Sequence, residues 1–173
     1  MTPKTGQLII FIGGTGSGKT TAVKKLIAPA PESIVYDVNG EYQEYPFDAN
    51  AKKSRFFDPD VDKFLEVCSY KNNACACVCE EATNFFAGAA QAKTRAAMVA
   101  KRHPQELGGR NYIFVFHTIN SVPPFLFGMS NTVCLFKTND ELHQVKKKCA
   151  KLVGAFLKLQ KEPKYSRINI EMQ

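Results

Sequence analysis

Short β-branched or aromatic runs alternate along this chain with segments in which apolar residues recur every three or four positions. The first run, residues 7–12 (QLIIFI), is stopped by two glycines, and residues 19–27 (KTTAVKKLI) follow with Val23, Leu26 and Ile27 on one helical face. A short apolar run is typical of a strand, and apolar spacing of three and four is typical of a helix. The N-terminal pattern therefore predicts a strand, a tight loop and a helix.

The same succession continues to the C-terminus. A long alanine-rich segment is typical of a helix, and we expect this helix to end before Pro104 because proline disrupts a helix interior. Strands separated by helices are typical of a mostly parallel sheet covered on both faces, and we therefore expect an α/β fold with such a sheet flanked by helices. Further strands are predicted at 33–38, 53–57, 74–81, 111–118 and 132–138, helices at 58–70, 83–103 and 139–153, a loop or short helix at 119–131, and a C-terminal β-hairpin at 155–171.

Length and composition fit one globular domain, residues 1–173. Of the 173 residues, 45% are hydrophobic and 23% charged, which suits a buried core and excludes a disordered or fibrous chain. The longest apolar stretch near the start, LIIFIGG, is far shorter than the roughly 20 residues of a membrane span, and it lacks a cleavage-site context. We therefore expect a cytoplasmic protein without stable membrane insertion.

The charge balance is basic. Lysine and arginine outnumber the acids 23 to 16, which gives a formal charge of +7. Such a balance favours a polyanionic partner, although solvated lysines explain it equally well. The run 146–151 (KKKCAK) could likewise contact a phosphate backbone or form a solvated helix face. Charge alone therefore permits a nucleic-acid partner without requiring one.

The cysteines could form a metal or disulfide cluster, or they could pack a strand. Disulfides are rare in the cytoplasm, and the spacing of the six cysteines lacks the CxxC pairs typical of zinc sites. Cys75, Cys77 and Cys79 recur every second residue, which in an extended strand places them on one face, about 7 Å apart. We expect them to fill the core as small apolar side chains.

The segment GGTGSGKT, residues 13–20, lies between the first predicted strand and helix and satisfies the phosphate-binding pattern G-x-x-x-x-G-K-[ST]. Its glycines let backbone N–H groups turn towards phosphates, Lys19 neutralises β and γ oxygens, and the Thr20 hydroxyl can ligate Mg²⁺. The motif predicts ATP and Mg²⁺ as ligands. The predicted nucleotide-binding residues are Gly13, Gly14, Thr15, Gly16, Ser17, Gly18, Lys19, Thr20 and Thr21.

An acidic pair, Glu80–Glu81, ends the cysteine-rich strand. An apolar strand that ends in acids downstream of a phosphate-binding loop is typical of a Walker B element. We predict that Glu80 holds Mg²⁺ and that Glu81 orients and deprotonates the attacking water. The alternative is a charge pair favoured by the dipole of the following helix, but it leaves the nucleotide without a second metal anchor.

Four segments, in order, resemble the FtsK–HerA superfamily of DNA-pumping ATPases: GGTGSGKT, VYDVNGEY, VCEEATNFF and KRHPQELGGRNYIFVFHTINSVP. In that family the second strand commonly ends in an Asp-x-x-Gly-Glu-Tyr-like stretch, and the Walker B strand ends in Asp-Glu-Ala, often followed by Asn-Phe. The resemblance spans most of residues 6–140 and implies a RecA/ASCE-like P-loop NTPase fold. The matching residues are Asp37, Gly40, Glu41, Tyr42, Glu81, Ala82, Asn84 and Phe85.

Two positions depart from the family pattern. Glu80 stands where the family usually has aspartate, one methylene shorter. The family's polar sensor of the γ-phosphate, usually glutamine, falls at Thr118, with His117 and Asn120 beside it. The resemblance therefore implies Thr118 as the catalytic sensor and leaves its two neighbours as alternatives.

The resemblance also implies partners. Members of the family work as rings, usually hexameric, in which an arginine of one subunit reaches the neighbour's nucleotide; Arg110 and Arg102 are the matching candidates. A trans arginine stabilises charge on the transferred phosphoryl group. The compact size is similar to that of genome-packaging ATPases of viruses with internal membranes or double-jelly-roll capsids, which implies DNA, single- or double-stranded, and a capsid vertex or portal protein as partners.

Three functions remain open from the sequence. The first is an ATP-driven DNA translocase, most plausibly a viral genome-packaging motor. The second is a small P-loop kinase of a nucleoside, nucleotide or metabolite, but such kinases usually need several arginines in a mobile lid, and this chain has five arginines in all. The third is a nucleotide-dependent morphogenesis protein similar to the phage-extrusion ATPases. Such a protein normally has a membrane segment, and we find none in this sequence.

Overall fold

The computed structural model describes residues 6–71, 75–86, 94, 96 and 110–172. Within these segments, seven strands form one sheet: β1 Leu8–Ile12, β2 Ser33–Tyr36, β3 Lys53–Phe56, β4 Ala76–Cys79, β5 Asn111–Phe116, β6 Thr132–Phe136 and β7 Arg167–Glu171. Their order in the sheet is β3-β2-β4-β5-β1-β6-β7, and all neighbours are parallel except β6 and β7. The predicted mostly parallel sheet is confirmed.

The described α-helices are α1 Lys19–Ile27, α2 Val61–Tyr70, α3 Pro124–Met129, α4 Leu142–Lys148 and α5 Val153–Lys161. Helix α2 begins at Asp60, whose side chain accepts a hydrogen bond from the Asp62 N–H at 3.0 Å, as an N-cap does. Helix α3 begins at proline, whose fixed φ suits a first helical position. In the described segments no helix has the length and apolarity needed to cross a membrane.

The strand order fixes where a ligand can bind. Because β1, β4, β5 and β6 are parallel and adjacent in the sheet, their carboxyl ends lie along one edge, hereafter the carboxyl edge. In open α/β sheets, ligands bind outside this edge, where loops from neighbouring strands meet. The segment 13–20 follows β1, the Glu80–Glu81 pair follows β4, and residues 117–120 follow β5. The topology therefore brings all three predicted elements to one place.

Apolar side chains cover both faces of the sheet. On one face, Cys75, Cys77 and Cys79 are fully buried and pack in the same core cluster as Phe64 and Phe85. On the other face, the alternate positions of β4 pack in the cluster that holds the buried side of α1. This alternation confirms that the three cysteines fill the core of the strand.

Two C-terminal predictions were wrong. Residues 155–161 are helical rather than the first arm of a hairpin, because Leu152, Phe156 and Leu159 recur at helical spacing and bury one face. Pro163 follows the end of this helix, and β7 then pairs with β6 instead of with a preceding strand. The predicted helix 139–153 is likewise divided into α4, a 3₁₀ turn at Ala150–Leu152, and the start of α5.

The predicted helix 83–103 lies mostly outside the described residues. Its first part, Ala82–Phe86, is a 3₁₀ turn. Phe85 is fully buried there and meets the rings of Tyr36, Phe64 and Phe114 edge-on, with ring centroids 5.0, 5.7 and 6.3 Å apart. These contacts fix the turn that follows Glu80–Glu81 against the core.

Candidate functional site

The loop between β1 and α1 is shaped by glycine. Gly16 and Gly18 have φ angles of +68° and +94°, a left-handed conformation that other residues seldom adopt. A Cβ at Gly13 would lie 2.6 Å from the Phe136 Cβ, so the first glycine lets the loop pass close to β6. The backbone geometry therefore requires the glycines of the GGTGSGKT motif at these positions.

Lys19 crosses back over this loop. Its side chain is buried, and the ammonium donates hydrogen bonds to the carbonyl oxygens of Gly13 and Gly14 at 2.7 and 3.1 Å. Burial lowers the pKa of Lys19, and the negative charges of nearby glutamates oppose that shift. A phosphate in the loop would give this cation stronger, charged acceptors than two carbonyls.

The segment after β2 supports the same site. The Thr20 hydroxyl donates to the Glu41 carboxylate at 2.6 Å. Asp37, itself buried, accepts hydrogen bonds from the N–H groups of Glu41 and Tyr42 at 2.9 and 3.1 Å, and its carboxylate lies 3.7 Å from the Arg55 guanidinium. In the Asp-x-x-Gly-Glu-Tyr-like stretch, the first acid, Asp37, therefore stabilises the turn. This turn places the second acid, Glu41, within hydrogen-bond distance of Thr20.

Glu80 is buried beside the phosphate-binding loop. Its carboxylate accepts a hydrogen bond from the Tyr42 hydroxyl at 2.8 Å. Burial raises the pKa of Glu80 to about 7, against the lowering effects of the Tyr42 hydrogen bond and the Lys19 charge. A cation that bound here would therefore favour the ionised carboxylate and release a proton.

The oxygen atoms near Thr20 fit Mg²⁺. Magnesium prefers oxygen ligands and in nucleotide sites is held by one or two protein groups together with phosphates and water. The Thr20 hydroxyl and the carboxylates of Glu41 and Glu80 line one cavity and supply such oxygens. Over the part of the chain that the structure describes, no cluster of three or more His, Cys, Asp or Glu side chains could hold a metal by itself. A protein-plus-phosphate site is therefore the arrangement that this donor set suits.

Glu81 is positioned by two polar neighbours. Its backbone has a φ of +50°, unusual for a residue other than glycine. One carboxylate oxygen lies 2.7 Å from His117 Nε2 and accepts a hydrogen bond from Asn39 Nδ2 at 3.3 Å. Burial works to raise the pKa of Glu81, but the His117 and Asn39 hydrogen bonds and the Lys19 charge outweigh it and lower the pKa. Glu81 is therefore ionised at neutral pH, as a general base must be.

One cavity of about 340 Å³ lies at the carboxyl edge, and its lining includes Lys19, Thr20, Glu41, Glu80 and Glu81. It brings together the predicted loop residues from Thr15 to Thr21 and both predicted acids. His117, an alternative for the sensor, also lines the cavity; the motif search assigned no role to Asn39 and Glu41, although both lie inside the VYDVNGEY segment. Tyr165, 71% exposed, also lines the cavity, and no motif surrounds it in the sequence.

Thr118, the predicted sensor, is not among the residues that line the cavity. Its hydroxyl accepts a hydrogen bond from the Ser121 N–H at 3.2 Å, so it stabilises its own loop. The preceding residue, His117, lines the cavity and contacts Glu81 instead. The backbone N–H of Asn120 donates a hydrogen bond to the Asp140 carboxylate at 3.1 Å. Of the three candidates, His117 lines the cavity, and the assignment of Thr118 as the sensor stays a prediction.

Arg110, one of the two predicted trans arginines, forms its hydrogen bonds within its own subunit. It precedes β5, at the opposite edge of the sheet from the cavity. It is 9% exposed, and its guanidinium donates to the carbonyl oxygens of Lys71, at 3.1 and 3.2 Å, and Ser69. These contacts hold the guanidinium within its own subunit, and the assignment of Arg110 as a trans arginine stays a prediction. Arg102 lies outside the described residues.

Solved structures with the same architecture span nearly the whole chain. The genome packaging NTPase B204 from Sulfolobus turreted icosahedral virus 2, in complex with AMPPCP, gives a TM-score of 0.78 at 17% identity, over 98% of this chain and 94% of that chain. The DNA-packaging ATPase B204 from Sulfolobus Turreted Icosahedral Virus gives 0.76 at 15% identity, over 99% and 94%.

A more distant likeness is to the cytoplasmic domain of the type VII secretion ATPase EccC of Thermomonospora curvata, with a TM-score of 0.59 at 12% identity, over 97% of this chain and 25% of that one. No protein-family model and no curated protein matches the sequence. At these identities the likeness concerns the fold. The chain has the P-loop NTPase fold that its motifs predict.

Proposed function

We propose that this protein is an ATP-hydrolysing DNA translocase of the FtsK–HerA type, and specifically a viral genome-packaging motor. One observation supports ATP hydrolysis most directly. The ionised carboxylate of Glu81 contacts His117 and lines the same cavity as the phosphate-binding loop. A carboxylate in that place suits activation of water for attack on a γ-phosphate. It would serve a kinase less well, because a kinase must exclude water from the transferred phosphoryl group.

The side chains divide the chemistry between them. The loop from Gly13 to Thr21 binds the phosphates through backbone N–H groups, and Lys19 neutralises their β and γ oxygens. Glu81 takes the proton of the attacking water, and His117 orients Glu81. The Thr20 hydroxyl and Glu80 would hold Mg²⁺, with Glu41 beside Thr20; the metal would supply charge stabilisation at the phosphates.

The DNA-motor part rests on likeness and charge. Two of the structural relatives are named as a genome packaging NTPase and a DNA-packaging ATPase, and the likeness covers at least 93% of every such chain. The formal charge of +7 suits a polyanionic partner. Lys146 and Lys147 in the last turn of α4, and Lys151 shortly after it, are exposed and offer a surface for a phosphate backbone. We propose DNA as the partner, single- or double-stranded, with a capsid vertex or portal protein.

Self-association into a ring of six subunits, the usual number in the family that the sequence resembles, completes the proposal. In the described part of one subunit, Lys19 folds over the phosphate-binding loop, and no arginine lines the cavity. Charge developing on the γ-phosphate is commonly met by an arginine from a neighbour. With Arg110 buried at the opposite edge, Arg102 is the remaining candidate from the resemblance.

Phosphate release measured with and without DNA tests this function. We expect ATP turnover by the wild-type protein to rise severalfold on addition of single- or double-stranded DNA. Lys19→Ala is the matched control and should abolish both basal and stimulated turnover. Transfer of the γ-phosphate to a nucleoside or metabolite, without DNA stimulation, would instead support the kinase and overturn the proposal.

A further inference from the structure

The segment between α5 and β7, residues 162–166, lies against the phosphate-binding loop. Its position is fixed at both ends. Lys137 donates to the Gln160 carbonyl at 3.0 Å and Gln160 donates to the Thr138 carbonyl at 3.1 Å, while Arg167 is in register with Phe136 across the β6–β7 pair. The last turn of α5 and the first residue of β7 are thus both attached to the end of β6.

This attachment places two side chains over the loop. A Cβ built on Gly16 would lie 3.5 Å from Lys164 Nζ, and one built on Gly18 would lie 3.5 Å from Tyr165 Cδ1. Tyr165 is 71% exposed. The Lys164 ammonium lies 5.8 Å from the centroid of this ring. A large aromatic ring that is held over a phosphate-binding loop and remains mostly exposed offers surface for a planar ligand.

A second cavity, of about 320 Å³, continues from the first. It shares Gly18, Thr21 and Tyr165 with the cavity that holds the acids, so the two meet at the start of α1 and at the tyrosine ring. The character of its lining changes: the second cavity has no acid and is lined by Ala22, Phe136, Lys25 and Arg167. The two cavities together divide the region into an acidic, metal-suited half and an apolar-and-basic half.

We propose that the second cavity binds the nucleoside part of the nucleotide and that the base stacks on Tyr165. The inference rests on the proposed nucleotide-binding function. Phosphates in the loop occupy the first cavity, and a P-loop cradles the α- and β-phosphates with the N–H groups at the start of its helix. The chain of phosphates must therefore leave the loop near Thr21, which is where the second cavity opens.

The chemistry of the second cavity suits a base and ribose. Stacking of a base on an aromatic side chain is tolerant of base identity because every base has a π-face. Phe136 and Ala22 add apolar surface. Lys25 and Arg167 supply donors for the ribose, the α-phosphate or the edge of the base. Tyr165 is thus an affinity-determining residue for nucleotides over inorganic phosphates.

The chain contains no tryptophan, which makes a direct probe possible. Tyr165→Trp introduces a single indole at the stacking position, and Tyr70→Trp introduces one at the other highly exposed tyrosine, 80% exposed at the end of α2. ADP should change the fluorescence of the Tyr165→Trp protein saturably and leave that of Tyr70→Trp unchanged. Tripolyphosphate, which has no base, should bind without reproducing the ADP signal. An ADP signal equal at both positions, or absent from both, overturns the proposal.

Affinity provides the second measurement. Stacking on an aromatic side chain contributes about 1–3 kcal/mol per base, so Tyr165→Ala should raise the Kd for ADP by roughly 5- to 150-fold. Its Kd for tripolyphosphate should stay within about twofold of wild type, which also shows that the loop remains folded. Tyr70→Ala should leave both unchanged. An unchanged ADP affinity in Tyr165→Ala, or an equal loss for both ligands, contradicts base stacking.

Binding measurements distinguish a wrong nucleoside site from the absence of nucleotide binding. If the wild-type protein binds neither ADP nor tripolyphosphate, and Lys19→Ala changes nothing, nucleotide binding itself is wrong. If wild type binds ADP in a Lys19-dependent way while Tyr165→Ala binds it equally well, the ATPase proposal stands and the nucleoside lies elsewhere.

Discussion

Glu81 and its neighbour Glu80 face different surroundings, and this difference supports the different roles that we propose for them. Glu81 is half-exposed, ionised and held by His117 and Asn39, whereas Glu80 is buried against Tyr42 with a pKa near 7. An ionised carboxylate in contact with solvent suits a base, and a buried one beside Thr20 suits a metal ligand.

The first prediction follows from that division. Glu81→Gln should keep ATP bound within about twofold in Kd and lower kcat by about 10²–10⁴-fold, because the amide keeps the shape and loses the base. Glu80→Gln should chiefly raise the Mg²⁺ concentration needed for half-maximal turnover. Single-turnover hydrolysis and Mg²⁺ titration separate the two. The opposite pattern would reverse the roles of the pair.

A second prediction concerns the pH dependence of stability without metal. The pKa of Glu80 is about 7 in the folded protein against an ordinary value of 4.5, so the folded state binds more protons between these values. Its contribution to the free energy of unfolding therefore falls as pH rises through that window. In EDTA and without nucleotide, Glu80→Gln should gain on the order of 1–3 kcal/mol relative to wild type between pH 5 and pH 8. Urea unfolding at both pH values measures this, and an equal difference at each would contradict it.

Sequence reasoning found the two acids and the loop because each lies in a contiguous motif. The partners of the acids were missed as such, since contacts such as Glu81–His117 and Glu80–Tyr42 join residues 36 and 38 positions apart. The sensor was predicted at Thr118, whereas the neighbouring His117 lines the cavity, because a motif gives the loop and not the direction of each side chain. Only the register of β5 beside β4 decides that His117 faces Glu81.

At the scale of elements, β4 shows how a strand can use cysteine as an apolar residue. Cys77 and Cys79 are fully buried, and burial raises the pKa of the Cys79 thiol well above its ordinary value. Such thiols are neutral and weakly reactive. Because its side chains are small, β4 packs in the core cluster of α2 on one face of the sheet and in that of α1 on the other.

The third prediction tests this role. Joint replacement of Cys75, Cys77 and Cys79 by alanine or valine should lower the free energy of unfolding by about 1–3 kcal/mol and leave nucleotide affinity unchanged, as expected of near-isosteric core changes. Chemical denaturation and metal analysis of the purified proteins provide the measurements. Stoichiometric zinc in the wild type that disappears from the variant would restore the metal interpretation.

The elements best predicted from sequence were the buried strands, because a run such as LIIFI or NYIFVF admits few alternatives. The C-terminal region was harder to predict. The segment KEPKYS has the composition of a hairpin turn, but Phe156 and Leu159 need a helical period to reach the core, and the partner of β7 is β6. Strand pairing across 31 or more residues leaves little local signal in the sequence.

At the scale of the whole molecule, Arg110 is the one of the two predicted trans arginines that lies in the described residues. Arg110 connects the start of β5 to the end of α2 through the carbonyls of Lys71 and Ser69. Arg110→Ala should therefore lower the free energy of unfolding by about 1–3 kcal/mol, since it removes the donor of partly buried hydrogen bonds to these carbonyls. It should not act on a neighbouring subunit.

The fourth prediction concerns assembly. Arg102→Ala should bind ATP normally and hydrolyse it poorly, and mixing it with Glu81→Gln should restore part of the hydrolysis, since each subunit supplies what the other lacks. Arg110→Ala mixed with Glu81→Gln is the matched control and should show no such recovery beyond its own activity. Native mass measurement must show that mixed assemblies form. Mixed assemblies without recovery would count against a trans arginine at Arg102.

Movement of DNA driven by ATP is the central claim, and displacement of streptavidin from end-biotinylated DNA tests it most directly. Single- and double-stranded substrates should be compared, with Glu81→Gln as the control that binds ATP without turnover. We predict ATP-dependent displacement from at least one substrate by the wild-type protein and none by Glu81→Gln. ATP hydrolysis by the wild type with no displacement from either substrate would contradict the account.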